Sequence, residues 1–227
     1  LYFAADDGTH GVELWKTDGT EAGTALVKDI NTDPAINANS NPVYLTVMNN
    51  VLYFSATDST NGFELWKSDG TSDGTARVKD IYAGSEGSYP NYLTEMNNVL
   101  YFAATDGTHG VELWKSDGTS DGTVMVKDIN LSPDIMTPEF TVGSYPTYLT
   151  VMNNVLYFSA NDATNNYELW KSDGTSDGTV QVKNISASGN SYPGPIVSFN
   201  GNVYFGTIDF VDDHEEYEFW KSDGTEA

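Results

Sequence analysis

The sequence predicts an all-β fold, a β-propeller of four-stranded antiparallel blades made from about five repeats of ~50 residues. Three observations carry this expectation. The segment E-L-W-K-(S/T)-D-G-T occurs at Glu13–Thr20, Glu64–Thr71, Glu112–Thr119 and Glu168–Thr175, and as E-F-W-K-S-D-G-T at Glu218–Thr225. Each repeat holds short runs rich in β-branched and aromatic residues, bounded by Gly, Asn, Asp or Pro. No long stretch shows apolar spacing at the helical period. The tryptophans Trp15, Trp66, Trp114, Trp170 and Trp220 mark the period, at spacings of 51, 48, 56 and 50 residues.

Each strand of the repeat is justified in turn. Y-L-T-x-M-N-N begins at Tyr44, Tyr92 and Tyr148, with Ile196-Val-Ser-Phe-Asn-Gly-Asn as a diverged copy. (L/V)-Y-F stands at Leu1, Leu52, Leu100, Leu156 and Val203. Asn49-Asn50, Asn97-Asn98, Asn153-Asn154 or Asn200-Gly201 joins the two. Asn and Gly tolerate the positive φ of a two-residue hairpin, so these strands pair as neighbours. E-L-W comes third, and the alternation in Glu112-Leu-Trp-Lys is that of a half-buried strand. V-K-(D/N)-I, ending at Ile30, Ile81, Ile129 and Ile185, is the fourth. It reaches the next Y-L-T only through a longer segment, variable in length and rich in Ser, Asn, Gly and Pro. Such a segment can cross three strand spacings of about 4.8 Å, from outer edge to inner strand; an Asn-Asn turn cannot. The expected order is Y-L-T innermost, then L-Y-F, E-L-W, and V-K-D-I outermost.

On this register the chain 1–227 is a single propeller or propeller portion, with repeats near 1–43, 44–91, 92–147, 148–195 and 196–227. The first repeat lacks its inner strand and the last its outer one, so the five are expected to belong to a longer ring or to several propellers. A β-helix coil is usually shorter, and an immunoglobulin-like unit runs to about 100 residues.

Composition bounds the function. The 227 residues carry 33 acidic and 10 basic side chains, a net charge of -23, with 39% hydrophobic and 13% aromatic residues. The apolar share suffices for a core, so disorder is not the leading reading. The charge repels phosphates and opposes a nucleic-acid or anionic-membrane partner. No apolar run approaches the roughly 18 residues that span a bilayer. The absence of Cys removes disulfides, thiolate catalysis and Cys-based zinc sites together. The start at Leu1, inside the repeat pattern, reads as that of a processed or partial piece.

The pattern E-L-W-x-x-D-G-T-x-x-G-T, then V-K-D-I, S-x-P-x-x-L-T and L-Y-F, resembles the bacterial family named for its ELWxxDGT repeat. The likeness covers nearly the whole chain. The insertions at Asn31–Asn41 and Asn130–Gly143 depart from that family's compact linker, and Asp209–Tyr217 departs from its D-G-x-x-G loop. The resemblance implies a large secreted or surface-attached bacterial repeat protein, extracellular or at the cell surface, and leaves ligand and activity undefined.

Single motifs divide between chemistry and structure. The D-G-T-x-x-G-T turns, such as Asp117–Thr123, suit a structural role: Gly supplies unusual φ while Asp and Thr side chains bind nearby backbone. A phosphate cradle would need a following helix and a basic residue. The repeated Trp is expected to pack between adjacent blades, with ligand stacking as the alternative. The neighbouring lysines, Lys16 through Lys221, are expected over an aromatic face or beside a repeat carboxylate. His10 and His109 share one repeat position, so a radial fold keeps them apart and prevents a common metal; His214 lies in the enlarged fifth loop. A G-x-S-x-G elbow is absent, and no catalytic residue is assigned.

Calcium is the only cofactor considered, with Asp212, Asp213 and Glu215 as weak ligand candidates. The D-x-D-x-D-G order is missing, and a solvated acidic rim is favoured. Asn130-Leu-Ser and Asn184-Ile-Ser match the glycosylation sequon.

The function expected is a non-enzymatic extracellular module for binding or adhesion, with a glycan or other surface ligand as partner. A structural spacer in a larger surface protein or filament, attached to further repeats, is the rival; an enzyme with its site in the variable loops is the third reading. Uniform loops suit a scaffold and variable loops suit recognition. Length changes such as Pro133–Val142 and Phe210–Glu216 fall on the face bearing the V-K-D-I to Y-L-T connections. There Tyr89, Tyr145 and Tyr192 precede each inner strand in Ser-Tyr-Pro, with Asn41 at the first copy. These three tyrosines are the candidate ligand-binding residues, and capping of the inner strands is their bland alternative.

Overall fold

In the computed structural model, which describes residues 1–33, 38–133, 141–164, 166–186, 191–211 and 214–225, the repeat signatures are strands of five separate antiparallel sheets. The first sheet holds β1 (Tyr2–Asp6), β2 (Val12–Lys16) and β3 (Ala25–Lys28). The second holds β4 (Val43–Met48), β5 (Val51–Thr57), β6 (Phe63–Ser68) and β7 (Ala76–Lys79). The third holds β8 (Asn91–Met96), β9 (Val99–Thr105), β10 (Val111–Ser116) and β11 (Val124–Lys127). The fourth holds β12 (Thr147–Met152), β13 (Val155–Asn161), β14 (Tyr167–Ser172) and β15 (Val180–Lys183). The fifth holds β16 (Val197–Phe199), β17 (Asn202–Val211) and β18 (His214–Ser222). Strands pair in chain order, as expected from the hairpin signals. There is no helix among the described residues.

Local chemistry explains the hairpins. Asn49 and Asn50 have φ of 52° and 60°, and the later Asn-Asn pairs repeat this, so each turn has the two positive φ values of a type I′ hairpin. At the far end of E-L-W, the D-G-T-x-x-G-T segment closes on itself. Asp69 Oδ1 accepts from the Thr71 amide at 2.9 Å and the Thr71 hydroxyl at 2.7 Å. Thr71 Oγ1 accepts in turn from the Gly74 amide at 2.9 Å. A Cβ at Gly74 would strike the Asp69 carboxylate, so the second Gly of the motif is a packing requirement.

The chain divides into two compact units, Leu1–Leu100 with Ser116–Thr123, and Tyr101–Lys115 with Val124–Ala227. In the first, Leu14, Val27 and Ile30 of the first sheet pack against Leu52, Phe54, Ala56 and Trp66 of the second. In the second, Met152, Tyr157, Leu169 and Val182 pack against Ile196, Val203 and Phe205.

Polar bonds repeat at every such junction. Lys16 Nζ donates to the Gly70 carbonyl and Lys67 Nζ to the Gly118 carbonyl, each at 2.8 Å. Lys115 does the same to Gly174 at 2.8 Å and Lys171 to Gly224 at 2.7 Å. The V-K-D-I lysines reach the same turns: Lys28, Lys79 and Lys127 donate to the carbonyls of Thr75, Thr123 and Thr179 at 2.8 Å. The sequence reading set the E-L-W-K lysine over a ring or beside a carboxylate. It does lie near the next turn's aspartate, but its hydrogen bond goes to the backbone.

Trp66, Trp114 and Trp170 are buried, whereas Trp15 and Trp220 are half-buried. Removing a buried indole leaves a cavity that a close-packed sheet stack cannot refill. Trp114→Ala is therefore expected to cost about 3–5 kcal/mol in urea unfolding, and Trp15→Ala less. Equal small losses at both sites would show that Trp114 is not a packing residue.

Candidate functional site

The site begins with a buried acid. Glu13, Glu64, Glu112 and Glu168, the first residue of each E-L-W, are all fully buried. Glu64 accepts from the amides of Ile81 (2.9 Å), Tyr82 (3.3 Å) and Ser88 (2.9 Å), and from the Ser88 hydroxyl (2.7 Å). Glu13 holds Ile30, Asn31 and Ser40 in the same way. Glu112 holds Ile129, Asn130 and Ser144. Glu168 holds Ile185 and Ser191. Each carboxylate thus grips both ends of the variable connection, the Ile that closes one repeat and the Ser that opens the next. Insertions between these anchors leave the grip unchanged.

The clamped Ser positions the candidate tyrosines. Ser88 and Tyr89 both donate their amides to the Phe63 carbonyl, at 2.8 and 3.0 Å. This holds Tyr89 at φ 50°, and Tyr145 and Tyr192 sit at 49° and 44°. A left-handed conformation costs a bulky residue of order 1–3 kcal/mol and persists only where the surroundings impose it. Asn41, at φ 46°, occupies the same position in the first copy, where Asn is better suited. The tyrosines remain 58%, 47% and 41% exposed.

A second set of tyrosines shares this geometry. Tyr44, Tyr92 and Tyr148 also have positive φ, 58°, 55° and 57°, and are exposed. Pairing of β4 with β5 jumps between Val43 and Thr46, and pairing of β12 with β13 between Thr147 and Thr150, so Tyr44 and Tyr148 ride on bulges. Sequence reasoning treated these residues as strand; no local signal marks a bulge inside an otherwise regular Y-L-T run. Tyr89 stacks on Phe63 with ring centroids 5.7 Å apart, and Tyr192 on Tyr167 at 5.3 Å. Tyr44 lies 6.4 Å from Tyr92. Within the first unit, Tyr44, Phe63, Tyr89 and Asn91 line an open cleft of about 210 Å³. Val43 and Pro90 complete its apolar lining, and Ser55 and Asn91 bring polar side chains to it. That combination suits a ligand with apolar C–H faces and hydroxyls.

The remaining candidates resolve differently. His10 Nδ1 lies 2.8 Å from Asp7 Oδ2, and His109 Nδ1 lies 2.8 Å from Asp106 Oδ2. The bond from His10 holds the Asp7 carboxyl down at about 2, and both imidazoles are raised by their aspartates. The calcium candidates Asp212 and Asp213 lie outside the described residues, and Glu215 is described only as a strand residue paired with Phe210. Among the described residues no group of three or more His, Asp or Glu is placed to hold a metal ion. Of the two sequons, Asn130 is buried with its side-chain amide on the Gly143 carbonyl, a poor glycan acceptor. Asn184 is exposed.

No protein-family profile and no curated protein matches the sequence. Among solved structures the chain is similar to a puromycin hydrolase, with TM-score 0.56 and 12% identity over 93% of this chain and 31% of that one. It is similar also to a structure from a study of two prolyl endopeptidases, with TM-score 0.54 and 9% identity over 97% of this chain and 33% of that one. A putative TolB from Agrobacterium tumefaciens aligns at TM-score 0.49 and 14% identity, over 99% and 74% of the two chains. The chain spans about a third of the length of the first two. The first two likenesses speak for a shared all-β fold alone.

The clamp predicts a pH dependence. Burial pushes the Glu112 carboxyl up to about 7, against an ordinary 4.5, and raises Glu13, Glu64 and Glu168 as well. A folded-state value above the unfolded one means that the native chain holds more protons between those limits. The associated stability is complete below about pH 4.5 and is lost as pH rises through about 7. Glu112→Gln cannot titrate, so its stability deficit against wild type should shrink by about 3 kcal/mol from pH 4.5 to 8. Urea unfolding at the two pH values measures this; a constant deficit would show that Glu112 stays ionised throughout. The turn aspartates work in the opposite direction: Asp18, Asp69, Asp117, Asp173 and Asp223 are lowered by their Thr hydroxyls, and their contribution is lost only as pH falls below 3.8.

Proposed function

We propose that this chain is a non-enzymatic binding module of a bacterial extracellular or cell-surface repeat protein of the ELWxxDGT kind, its sheets forming propeller blades. Carbohydrate is the ligand class, and adhesion the role. The observation that carries this is the exposed tyrosine at the same position of each of three repeats, held in a strained backbone conformation by a buried carboxylate clamp. Structure alone does not need a bulky ring at these positions, since the first repeat uses Asn41 at the same φ. A Tyr ring offers its face to the C–H surface of a sugar and its hydroxyl to the sugar's own. The net charge of -23 favours a neutral ligand over a phosphate-bearing one.

A spacer role is the second reading, favoured by the lysine and glycine junctions that repeat along the chain. The two separate on one experiment. Tyr89→Asn, Tyr145→Asn and Tyr192→Asn, combined, install the residue that the first repeat already carries. On a glycan array the wild type should bind a neutral saccharide and the triple variant should lose at least about tenfold in affinity, about 1.4 kcal/mol, with its melting temperature within about 4 °C. Absence of any hit for the wild type favours the spacer. A lower melting temperature with binding retained makes the rings structural. Calcium should raise the melting temperature no more than sodium chloride of equal ionic strength, which acts only by screening; a larger rise would revive the acidic-loop site.

A further inference from the structure

The residue before E-L-W varies, whereas the Glu, Leu and Trp after it do not. Val12, Phe63, Val111 and Tyr167 occupy this position in the first four repeats, all half-buried. In each, the carbonyl accepts amide hydrogens from the connection that follows. Val12 accepts from Ser40 and Asn41, Phe63 from Ser88 and Tyr89, Val111 from Tyr145, and Tyr167 from Ser191. Such a backbone bond is indifferent to the side chain, and Val satisfies it twice. A ring there is not a demand of the sheet. Rings stand at Phe63 and Tyr167, and each stacks on the tyrosine of its connection. Phe63 meets Tyr89 at 5.7 Å and 25°, and Tyr167 meets Tyr192 at 5.3 Å and 23°. Where Asn41 replaces the tyrosine, Val12 replaces its partner. Val111 gives Tyr145 no ring to stack on.

Phe63 and Tyr89 belong to the cleft of the first unit. The second unit repeats its frame. β12 and β13 pair Thr147 with Ser159 as β4 and β5 pair Val43 with Ser55, and the same register jump follows. Tyr148 has φ 57° and is 42% exposed, against 58° and 50% for Tyr44. Tyr167 and Tyr192 stand in the places of Phe63 and Tyr89. Two differences matter to a ligand. Tyr167 adds a hydroxyl that Phe63 lacks. Gly194 takes the place of Asn91, and a Cβ there would strike the Tyr148 ring, which fills the space that a side chain at 194 would need. Burial, and then the phenols of Tyr145 and Tyr192, push the Tyr167 hydroxyl above its ordinary value, so three phenols gather about the fourth sheet.

We propose, on the carbohydrate reading of the tyrosines, that the second unit carries a second saccharide site formed by Tyr148, Tyr167 and Tyr192, and that Phe63 and Tyr167 are ligand-contact residues. A ring stacked on another is buttressed from behind, so its outer face is held ready for the C–H surface of a sugar. The polar fixtures differ between the two clefts. The first supplies the Asn91 carboxamide, which can donate and accept; the second supplies the Tyr167 hydroxyl. Both sites therefore take neutral saccharides, with different preferences among them, because a buried polar group selects the sugar hydroxyl that matches it.

Affinity electrophoresis tests this, in native gels holding a neutral glucan, mannan, galactan or xylan, with polygalacturonate as the anionic control. Val, the residue of the first and third repeats, replaces the rings. The wild type should be retarded by at least one neutral polysaccharide and not by polygalacturonate. Phe63→Val and Tyr167→Val should each weaken the retardation. The double variant should lose at least about tenfold in affinity, with its melting temperature within about 4 °C of wild type. Tyr167→Phe keeps the stack. In a Tyr89→Asn background, which leaves only the second cleft, it should weaken binding about fivefold through the lost hydroxyl. Wild-type affinity in the double variant overturns the proposal, and leaves the carbohydrate reading standing if the Tyr89, Tyr145 and Tyr192 triple variant has lost its binding. A wild type retarded by none of the neutral polysaccharides overturns it too, and silence on the glycan array would take the carbohydrate reading with it. Should the double variant melt low, Tyr167→Phe decides: unchanged affinity removes Tyr167 from the site, and a loss at wild-type melting temperature keeps it there.

Discussion

The variable connections between successive repeats hang from the buried glutamate of E-L-W. A carboxylate taken out of water costs several kcal/mol unless donors replace its hydration. Here the replacement comes from the backbone on either side of the inter-repeat connection, as in Glu64 with Ile81, Tyr82 and Ser88. The cost of an unmet carboxylate makes the grip obligatory. It sets where one repeat ends and the next begins while placing no demand on what lies between. The connection in the first repeat, with Asn31 and Ser40 on Glu13, is longer than the one gripped by Glu64. In the third, Glu112 spans Asn130 to Ser144. The connections can diverge because their anchors do not.

The same clamp carries the candidate site. Ser88 is bound to Glu64, so the residue after it inherits a backbone direction it would not choose. Tyr89 is turned outward and stacked on Phe63 instead of folding onto the strand. The strain is local and its compensation lies one residue away in a buried hydrogen-bond network. A ring held this way loses little further freedom on meeting a ligand, which lowers the entropic cost of binding.

Much of this was legible in the chain itself, and the exceptions are instructive. Asn-Asn between apolar runs announced the hairpins, since few residues tolerate two successive positive φ values. D-G-T-x-x-G-T announced a self-closed turn, and the strand order followed from connection lengths. The role of Glu13, Glu64, Glu112 and Glu168 was not legible, because alternation assigns a glutamate beside Leu to the solvent face. Only the folded connection shows that this face is covered. Tyr44, Tyr92 and Tyr148 escaped for a related reason: a bulge leaves the composition of a strand intact and alters only its pairing. The lysine of E-L-W-K was read as seeking a ring or an acid, yet its bond goes to a backbone carbonyl of the next repeat, which composition cannot reveal.

Charge ties the repeats together more economically than the net value of -23 suggests. The chain has nine lysines and one arginine, and seven of the lysines donate to the turn carbonyls of the following repeat. Each of those turns carries an aspartate, so the cation meets both a carbonyl dipole and a nearby acid. The arginine serves the loop side: in the second repeat, where Asn61 replaces the histidine, Arg77 lies 3.6 Å from Asp58 and 4.0 Å from Asp80. The first and third repeats use His10 and His109 against Asp7 and Asp106 for the same purpose. The fourth has Asn184 where the others have an aspartate, which removes one of the acids to be balanced. Scarce positive charge is thus spent where strands of successive repeats must approach, and the excess acid is left on exposed turns, where water and salt screen it. An acidic array can stack on itself because its repulsion is cancelled at the contacts and kept at the surface.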